Sequence, residues 1–536
     1  MTGRTGDGWE ITFRRYVSRR ARWAAERKRL LYLVGRKRRE RHVTAKAGRP
    51  APSAARDVNS RGRPHEVKLA RRVARRLEQE LLEAAPPVGT VYASESELLE
   101  RFGVSPAVLR EAIRLVEHHG LALMRRGPYG GLIVQAPDAR PLTNAVVVYL
   151  EHIGTTIEDL LGVRKLIEPL AARLAAQNLT EEHIEDLRAA LAEERSRGDL
   201  SQGMRNVMHV LVGRIGGNRV LGLFVDVLVQ LTERYARIPP PPGEDAVKEL
   251  TAASDHAHER ITDAIVGRNA MLAEHRTVRH LDAMREWLLS TRQEPIRSRP
   301  VGSEDELQVG HGKQKLAEAV ARRLMAEIAA SGKGVGEIYG SEAALQARFD
   351  VSRAVFREAV RLLEFHSVAR MRRGPNGGLV ITRPDPSASA EAMAVYLKYE
   401  RVDAGELRTV RDVIELGVLE TLNERLDPAL AQRLREANRV RSDTPGDEVA
   451  DLSFDFHIRL AELTGNPVLV LFLHILFAVW KDHATGQVSS ESERAEATAM
   501  VAHVHDRILE AVLAGDLPLA RHRMHRHLEA LDAWWH

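Results

Sequence analysis

Residues 94–121 read SESELLERFGVSPAVLREAIRLVEHHGL, and this stretch decides the fold of the region around it. A short helix opens at Ser94-Glu95 and ends at Phe102, where a tight turn follows. Ser105 is a natural N-cap, and Pro106 has its φ preset for the first helical position. The pattern therefore predicts two helices joined by a turn, the second running to about His118.

The flanking residues complete a small domain. Residues 66–84 repeat apolar side chains at helical spacing and are followed by Pro86-Pro87. After the third helix, LALMRR and GLIVQ form a predicted two-stranded hairpin with GPYG as its loop. Helix, helix, turn, helix and β-hairpin make a winged helix-turn-helix. In that fold the third helix enters a major groove, N-terminal end first, and the wing reaches the backbone or the minor groove.

The DNA-binding candidates of this domain follow from the docking geometry. An N-cap hydroxyl, two arginines four residues apart and a basic, glycine-rich wing tip can contact phosphates or bases. They are Ser105, Arg110, Arg114, Arg125, Arg126 and Gly127. Two alternatives stay open: Arg110 on a solvated helix face paired with glutamate, and an ordinary charged hairpin turn at the wing.

The same pattern returns 247 residues later without a gap. Between Tyr92 and Asp138, about 28 of 47 positions match their counterparts in the second copy. The second wing reads MRRGPNGG where the first reads MRRGPYGG. The corresponding DNA-binding candidates are Ser352, Arg353, Arg357, Arg361, Arg372, Arg373 and Gly374. The register continues downstream, so the chain after its N-terminal segment is a tandem duplication of a two-domain protein.

The second part of each copy is predicted to be helical. In copy 1, apolar side chains recur with helical period over 156–177, 181–196, 202–215, 219–237, 245–266 and 270–290. Six or seven helices joined by short loops make a compact bundle. The expected fold is mainly α: two winged helix-turn-helix domains with small β-hairpin wings, each followed by an all-α bundle.

The boundaries follow from charge and composition. Residues 1–64 carry 19 Lys+Arg against 5 Asp+Glu, whereas the whole chain is only +5. Such a tail favours phosphate backbones, and a disordered extension without a role is the alternative. The expected domains are a tail (1–64), winged helix (65–138), bundle (139–290), linker (291–312), winged helix (313–385) and bundle (386–536).

The chain closely resembles the GntR superfamily of bacterial transcription regulators. The resemblance rests on SESELLERFGVSPAVLREAIRLVEHHGL and GPYGGLIV, and on SEAALQARFDVSRAVFREAVRLLEFHSV and GPNGGLVI. It spans the DNA-binding domain in both copies. The family's first contact arginine is Ser96 or Ala343 here, and the second is Pro106 or Arg353. The third is kept as Arg110 and Arg357. The resemblance therefore implies that the two winged helix-turn-helix domains, called the heads below, differ in DNA affinity.

The helical parts resemble the FCD-type effector domain of one GntR subfamily (FadR-like). VRKLIEPLAARLAA, HVLVGRIGGNRVL and HERITDAI carry the likeness in copy 1; VRDVIELGVLETL, HIRLAELTGNPVL and HDRILEAV carry it in copy 2. Such bundles enclose a pocket for an organic acid or similar metabolite, often beside a divalent metal. The resemblance implies that effector or metal is held by His209, His258 and His280 in copy 1, and by His457, His505 and His527 in copy 2.

The metal prediction is weakened by the fourth ligand. The family's carboxylate or amide position holds Arg205 in copy 1 and Ser453 in copy 2, and Asp455 is two residues before His457, on another helix face. A cation beside Arg205 would be repelled. No cofactor is certain; a divalent metal such as Zn or Ni is a candidate in the copy 2 bundle and is less expected in copy 1. In copy 1, histidines hydrogen-bonded in a polar pocket are favoured.

Arg164 and Arg411 occupy the family's helix-start arginine and are candidate effector ligands. An i,i+4 ion pair with Glu168 or Glu415 is an equal alternative. The histidine-rich run at residues 522–527 is predicted to be mostly exposed, except for His527.

The composition limits the function classes. The chain has no cysteine, which excludes disulfides and thiolate sites, and it shows no bilayer-spanning run or signal peptide. The expected function is a ligand-responsive DNA-binding regulator in the cytoplasm, associated with the nucleoid. Its expected partners are an operator duplex and a small effector, with no membrane. The two copies are expected to form an internal pseudo-dimer, with a homodimer of chains as a further alternative. A scaffold with decayed DNA reading and a metal-dependent enzyme are the competing functions.

Overall fold

The computed structural model describes residues 64–125, 127, 130–196, 207–236, 244–290, 313–365, 368–372, 374, 377–383, 385–439, 449–481 and 491–532. The basic tail, the predicted linker, Arg126, Arg373 and Arg205 lie outside these residues. The chain divides into two compact units. One comprises 1–137, 483–500 and 525–536, and the other comprises 138–482 and 501–524.

The first winged helix contains three helices and three short strands. In chain order these are α1 (Pro64–Ala84), β1 (Val91–Ala93), α2 (Glu95–Phe102), α3 (Pro106–His118), β2 (Ala122–Arg125) and β3 (Gly131–Val134). Ser94 caps α2 through a capping box with Glu97, and Gly103 ends it in the left-handed conformation at φ 60°. These boundaries agree with the sequence prediction to within two residues.

The second winged helix repeats this order. Its elements are α11 (Lys313–Ala330), β4 (Ile338–Gly340), α12 (Glu342–Phe349), α13 (Arg353–Phe365), β5 (Ala369–Arg372) and β6 (Gly378–Ile381). Leu324, Phe356, Leu363 and Leu379 are fully buried and form its core. Asp350 replaces the glycine of the first copy and adopts φ 48°, a conformation that aspartate tolerates better than most residues.

Each wing is a three-stranded antiparallel sheet rather than the predicted two-stranded hairpin. The strand orders are β1-β3-β2 and β4-β6-β5. The additional strands have only three residues each, too few to show alternation in the sequence. Gly131 allows β1 to approach, since a Cβ there would lie 2.8 Å from the Ala93 carbonyl oxygen. The sheet anchors the base of the wing and so fixes where its tip points.

The first bundle follows immediately. Its helices are α4 (Ala139–His152), α5 (Ile157–Gln177), α6 (Glu181–Ser196), α7 (Val207–Ile215), α8 (Arg219–Ala236), α9 (Glu244–Val266) and α10 (Ala270–Ser290). Helix α4 was not among the predicted segments. Its mixed sequence ARPLTNAVVVYLEH opens with an arginine and a proline after an Asp138 cap, which obscures the period.

The second bundle has the same order of elements. Its helices are α14 (Ser387–Tyr399), α15 (Ala404–Glu424), α16 (Pro428–Arg439), α17 (Val449–Leu463), α18 (Pro467–Lys481), α19 (Glu491–Leu513) and α20 (Leu517–Asp532). Helices α4 and α5 of the first bundle contact α14 and α15 of the second. No helix among the described residues is long and apolar enough to cross a membrane.

Candidate DNA interface and effector pocket

The reading helix of copy 1, α3, presents few positive charges. Ser105 caps it by accepting a hydrogen bond from the Val108 amide at 3.3 Å. Arg110 is exposed and forms no ion pair with any other described residue. Arg114 pairs with Glu111 at 2.9 Å, with both side chains more than half exposed. Such a surface pair contributes little, so both arginines are available to a phosphate.

The reading helix of copy 2, α13, presents a larger basic group. Arg353 and Arg357 both pair with Glu342 at the start of α12, at 3.3 and 3.1 Å. Their side chains remain 65% and 53% exposed. Partial burial works to raise the pKa of Glu342, but hydrogen bonds from Arg357 and Arg353 lower it. Glu342, which the sequence analysis missed, therefore holds both arginines side by side at the N-terminal end of the helix.

Three further predicted contacts of copy 2 are placed as the repeat requires. Ser352 accepts a hydrogen bond from the Val355 amide at 3.3 Å. Arg361 pairs with Glu358 at 2.6 Å, matching Arg114 with Glu111. The ion-paired helix face expected as an alternative therefore exists at Arg357, Arg114 and Arg361, whereas Arg110 has no such pair with a described residue.

The two wing tips share one backbone geometry. Gly127 and Gly374 have φ of 118° and 113°, values that only glycine adopts readily. In each tip the amide three residues on donates to the glycine carbonyl at 2.8 Å. Arg125 and Arg372 end their strands exposed. The two glycines therefore turn the chain directly after a basic residue.

The pocket of copy 1 joins three buried histidines. His209 lies on α7, His258 on α9 and His280 on α10. The Nε2 atom of His280 is 3.2 Å from that of His258 and 3.3 Å from that of His209. The predicted trio is thus brought together, with one nitrogen of each ring directed to a common point.

Two buried carboxylates orient these rings. Glu168 Oε2 is 2.6 Å from His209 Nδ1, and Glu194 Oε2 is 2.7 Å from His258 Nδ1. Desolvation opposes ionisation of both glutamates. Arg164 and His209 nevertheless lower the pKa of Glu168, and the His258 hydrogen bond lowers that of Glu194. Each of these two rings then donates through Nδ1, which leaves its Nε2 as an acceptor facing His280 Nε2 at the common point.

Burial favours the neutral form of His209 and of His280. Desolvation is the main cause that lowers the pKa of His209, and it lowers that of His280 further, with help from the neighbouring histidines. With both glutamates ionised, Arg164 is the only guanidinium among the described residues bonded to this group. The described cluster therefore carries one more negative than positive charge.

Arg164 is the most buried charge in this pocket. Its side chain is 0% exposed, and its guanidinium bonds to Glu168 through Nε and to Thr232 Oγ1 at 3.2 Å through Nη1. The predicted i,i+4 ion pair is therefore present. The third nitrogen, Nη2, is buried without a hydrogen-bond partner among the described atoms. A buried guanidinium N–H without an acceptor costs free energy, and an anion beside it would remove that cost.

The pocket of copy 2 is built differently around the matching arginine. Arg411 is 2% exposed and donates to Asp412 at 2.8 and 3.0 Å. Its guanidinium lies 4.8 Å from the centre of the Trp480 ring. Trp480 stands where copy 1 has Thr232, and Asp412 stands where it has Lys165. An aromatic ring and a local carboxylate thus occupy the space around this arginine.

The histidines of copy 2 are also buried. The rings of His457 and His505 lie 5.4 Å apart, and Nδ1 of His457 pairs with Glu415. Phe456 stacks on His505 at 3.9 Å, and His527 on α20 is 2% exposed. His522 and His525 are exposed, as the run at residues 522–527 predicted. Asp455 is 62% exposed, on another face from His457.

The residues of copy 1 fit a divalent metal. Three imidazoles converge, and two of them have a carboxylate behind them that holds the ring in place. Sequence reasoning rated a metal as less expected here than in copy 2 because it weighed Arg205, and it missed Glu194. A carboxylate 64 residues from its histidine leaves no local spacing signal.

Comparison with known proteins agrees with this architecture. A model of the FCD domain matches residues 159–283 and 406–530. An uncharacterized HTH-type transcriptional regulator in an unstable DNA locus of Streptomyces ambofaciens is 30% identical over 193 residues, covering 36% of this chain and 73% of the relative. The HTH-type transcriptional repressor NanR of Citrobacter rodentium is 25% identical over 229 residues, covering 42% and 86%.

A solved structure, Streptococcus agalactiae GntR, aligns at 20% identity with a TM-score of 0.30, covering 41% of this chain and 99% of that one. Each of the two relatives matched in sequence spans about the share of this chain that one copy of a duplicated protein occupies. These relatives are transcription regulators rather than enzymes. The chain therefore belongs to the family of HTH-type transcription regulators and carries the FCD domain twice, as its resemblance to GntR regulators implied.

Proposed function

We propose that this chain represses transcription by binding a two-half-site operator with its two heads, and that a small organic acid or acyl derivative in the helical domains releases it. The observation that carries the proposal is the buried Arg164, which is bonded to Glu168 in the lining of the histidine pocket and whose Nη2 has no partner among the described atoms. In this proposal the effector binds in this pocket, and the response is a change in DNA binding by helices α3 and α13.

The chemistry of the pocket favours an anion with a carboxylate group. Guanidinium and carboxylate form strong charge-assisted hydrogen bonds when shielded from water. Arg164 is held in place by Glu168 and Thr232, so little entropy is lost when a ligand binds. The pocket lining also contains apolar side chains, including Ala171, Val212 and Ile261, which suit a short carbon chain.

A divalent metal held by His209, His258 and His280 would assist this binding. Zn²⁺ and Ni²⁺ accept three imidazoles, and the carboxylates of Glu168 and Glu194 would fix the ring tautomers. When bound, the metal supplies a positive centre for the effector carboxylate. We assign this role to copy 1, because its arginine has an N–H without an acceptor among the described atoms.

The heads make unequal contributions to DNA binding. Copy 2 offers Arg353 and Arg357, whereas copy 1 offers Arg110 with Pro106 at the preceding contact position. Each arginine that meets a base or a phosphate adds affinity. We infer that the operator is an imperfect palindrome whose stronger half-site is read by copy 2. The repressor assignment takes support from the name of the NanR relative.

The pocket can reach the heads through the bundle helices. Helix α4 follows the first wing directly in the chain and contacts α8, which packs against α5 and α7. An effector that binds one arrangement of these helices better than another shifts the population toward it. A changed angle between the heads then lowers operator affinity. A regulator of this kind acts on the nucleoid in the cytoplasm.

A genomic selection tests the proposal and finds the operator in the same step. Purified full-length protein is mixed with sheared genomic DNA of its source organism, and the bound fragments are sequenced. Arg110→Ala and Arg357→Ala variants are run in parallel. We expect the bound fragments to share a motif of two half-sites. Each variant should lose sequence preference in one of the two half-sites. Acetate, succinate and citrate, each with and without Zn²⁺, are then tested for release of the bound fragment.

A second candidate is a scaffold whose DNA reading has decayed. Ser96, Ala343 and Pro106, at positions where the family's pattern has arginine, favour it. Absence of any enriched motif together with carboxylate binding to the helical domains would support the scaffold and overturn the proposed function.

A further inference from the structure

The two bundles contact each other through matching residues. Asn218 Nδ2 donates to the Glu406 carbonyl at 2.9 Å, and Asn466 Nδ2 donates to the Asp159 carbonyl at 2.9 Å. Asn466 is the counterpart of Asn218 in the repeat, and Glu406 is the counterpart of Asp159. Reciprocal contacts of this kind define a twofold interface. The bundles are therefore paired around a pseudo-twofold axis within one chain.

Two aromatic rings mark the centre of this interface. Phe224 and Phe472 are counterparts, both are fully buried, and their rings stack with centroids 3.8 Å apart and planes 19° from parallel. A residue that meets its own counterpart lies on the axis. These matching contacts alone would allow two copy 1 bundles, two copy 2 bundles, or one of each to pair.

One ion pair breaks the symmetry. Arg219 Nη2 lies 2.6 Å from Glu406 Oε2, and its Nε and backbone N lie 3.1 and 2.8 Å from Oε1. Its Nη1 also donates to the Glu400 carbonyl. The counterpart of Arg219 is Pro467, which has neither charge nor N–H. The strong pair therefore exists on one side of the axis only.

A steric contact breaks the symmetry as well. Leu166 of α5 packs onto Gly417 of α15, where an added Cβ would lie 2.8 Å from Leu166 Cδ2 and closer still to Cδ1. The counterparts of these two residues are Val413 and Leu170. The large and small members are thus exchanged: leucine over glycine on one side corresponds to valine and leucine on the other.

These differences give each pairing a different fit. Two copy 1 bundles would set Leu166 against Leu170 on both sides, which overpacks the interface. Two copy 2 bundles would set Val413 against Gly417, which leaves cavities. They would also bury Glu406 twice without Arg219. In a pair of copy 1 bundles Arg219 would still meet a carboxylate, that of Asp159, so the leucine contact alone penalises that pairing. Only the mixed pair places the leucine over the glycine.

We propose that this interface is a one-way lock: the copy 1 bundle accepts the copy 2 bundle of its own chain and rejects a second copy of itself. Specificity of this kind needs features that penalise the wrong partner. Overpacking of Leu166 against Leu170 penalises two copy 1 bundles, and Glu406 without Arg219 penalises two copy 2 bundles. Covalent linkage raises the local concentration of the correct partner. The lock goes beyond the proposed function, since it fixes which two heads stand together whether or not they bind DNA.

Crosslinking of the full-length chain tests the lock, because the native sequence has no cysteine. Phe224→Cys, Phe472→Cys and the double variant are treated with a short bis-maleimide and separated by denaturing electrophoresis. We expect the double variant to link within one chain and neither single variant to link two chains. Linked dimers from a single variant would show like-with-like pairing and overturn the proposal. Linked dimers from the double variant would show exchange between chains and overturn it too.

Further substitutions, made in the Phe224→Cys/Phe472→Cys double variant, test which side chains give the interface its specificity. Arg219→Glu and Glu406→Arg should each reduce the intrachain link severalfold, and the two together should restore it. Gly417→Ala should also reduce the intrachain link, and adding Leu166→Ala to it should restore the link. Neither of these two substitutions alters a helix cap. Pro467→Ala is the matched control and should leave the link unchanged. Failure of both double variants to restore the link would assign the residues a merely structural role and overturn the lock.

Discussion

The two bundles bury the same arginine and use it in opposite ways. Arg164 of copy 1 is braced by Glu168 and Thr232 and keeps one nitrogen without a described partner. Arg411 of copy 2 is bonded to Asp412 and lies against Trp480. The helical scaffold is the same in both. Duplication preserved the frame and let the contents of each pocket change.

The two winged-helix domains also differ, but here copy 2 has the larger basic group. Copy 2 presents two arginines aligned by Glu342 at the start of its reading helix, whereas copy 1 presents Arg110 after Pro106. The copy with the more receptive pocket therefore has the weaker basic group. We infer that sensing has become concentrated in copy 1 and DNA reading in copy 2.

The largest expected effect comes from removing Arg164. Arg164→Met leaves the buried Glu168 without its guanidinium, and breaking a buried pair in this way costs about 3–5 kcal/mol in the free energy of unfolding. Arg411→Met should cost less, because its partner Asp412 is 23% exposed and can be hydrated. Urea unfolding of both variants measures the difference. Equal losses would mean that the two pockets are equivalent.

A smaller effect is expected at the metal-binding group. Glu194→Gln weakens the acceptor behind His258 and should lower Zn²⁺ affinity by about 10- to 100-fold, as outer carboxylates generally do. Competition with a chromophoric chelator measures it. Asp455→Asn in copy 2 is the control, since that carboxylate is 62% exposed. A loss in the control as large as that in Glu194→Gln would place the metal in copy 2.

Making the heads alike should give a gain in DNA binding. Pro106→Arg gives copy 1 the contact residue of copy 2, and one added phosphate contact should raise the salt dependence of operator binding by about one unit. Affinity should rise by about tenfold, near 1.4 kcal/mol. Arg353→Pro is the reverse change and should weaken binding. Titrations of the operator at several salt concentrations measure this salt dependence. An unchanged slope for Pro106→Arg would mean that the start of α3 does not contact DNA phosphates.

The smallest effect concerns pH at the interface between the bundles. Burial tends to raise the pKa of Glu406, but the hydrogen bonds from Arg219 outweigh it and lower that pKa. The pair therefore stabilises the fold fully above the usual glutamate range and is lost as pH falls through the lowered pKa. The urea midpoint of the wild type should drop more between pH 6 and pH 4 than that of Glu406→Gln. Parallel curves for the two proteins would count against a role for this carboxylate.

Local spacing was enough to predict most of the helices but not every element. Caps such as Ser94 and Ser105 fixed the ends of α2 and α3, because capping depends on neighbours in sequence. Strands β1 and β4 were missed because three residues show no alternation. Helix α4 was missed because its mixed polar and apolar sequence hides its period.

The pocket was predictable in its histidines and in the i,i+4 pair of Arg164 with Glu168. Their alignment between copies identified His209, His258 and His280, and the structure brings them together. Glu194 and Trp480 were not foreseen, since each contacts its partner across a long stretch of chain. Which copy keeps a receptive arginine depends on such contacts, so the division of work between the copies could not be read from the repeat.

The most direct test of the account is the mass of the chain bound to an operator duplex recovered from the genomic selection, measured by native mass spectrometry. We predict one chain per duplex with both half-sites present, and loss of most binding when the half-site read by α13 is scrambled. Two chains on one two-half-site duplex, or equal tolerance of scrambling in either half, would contradict it.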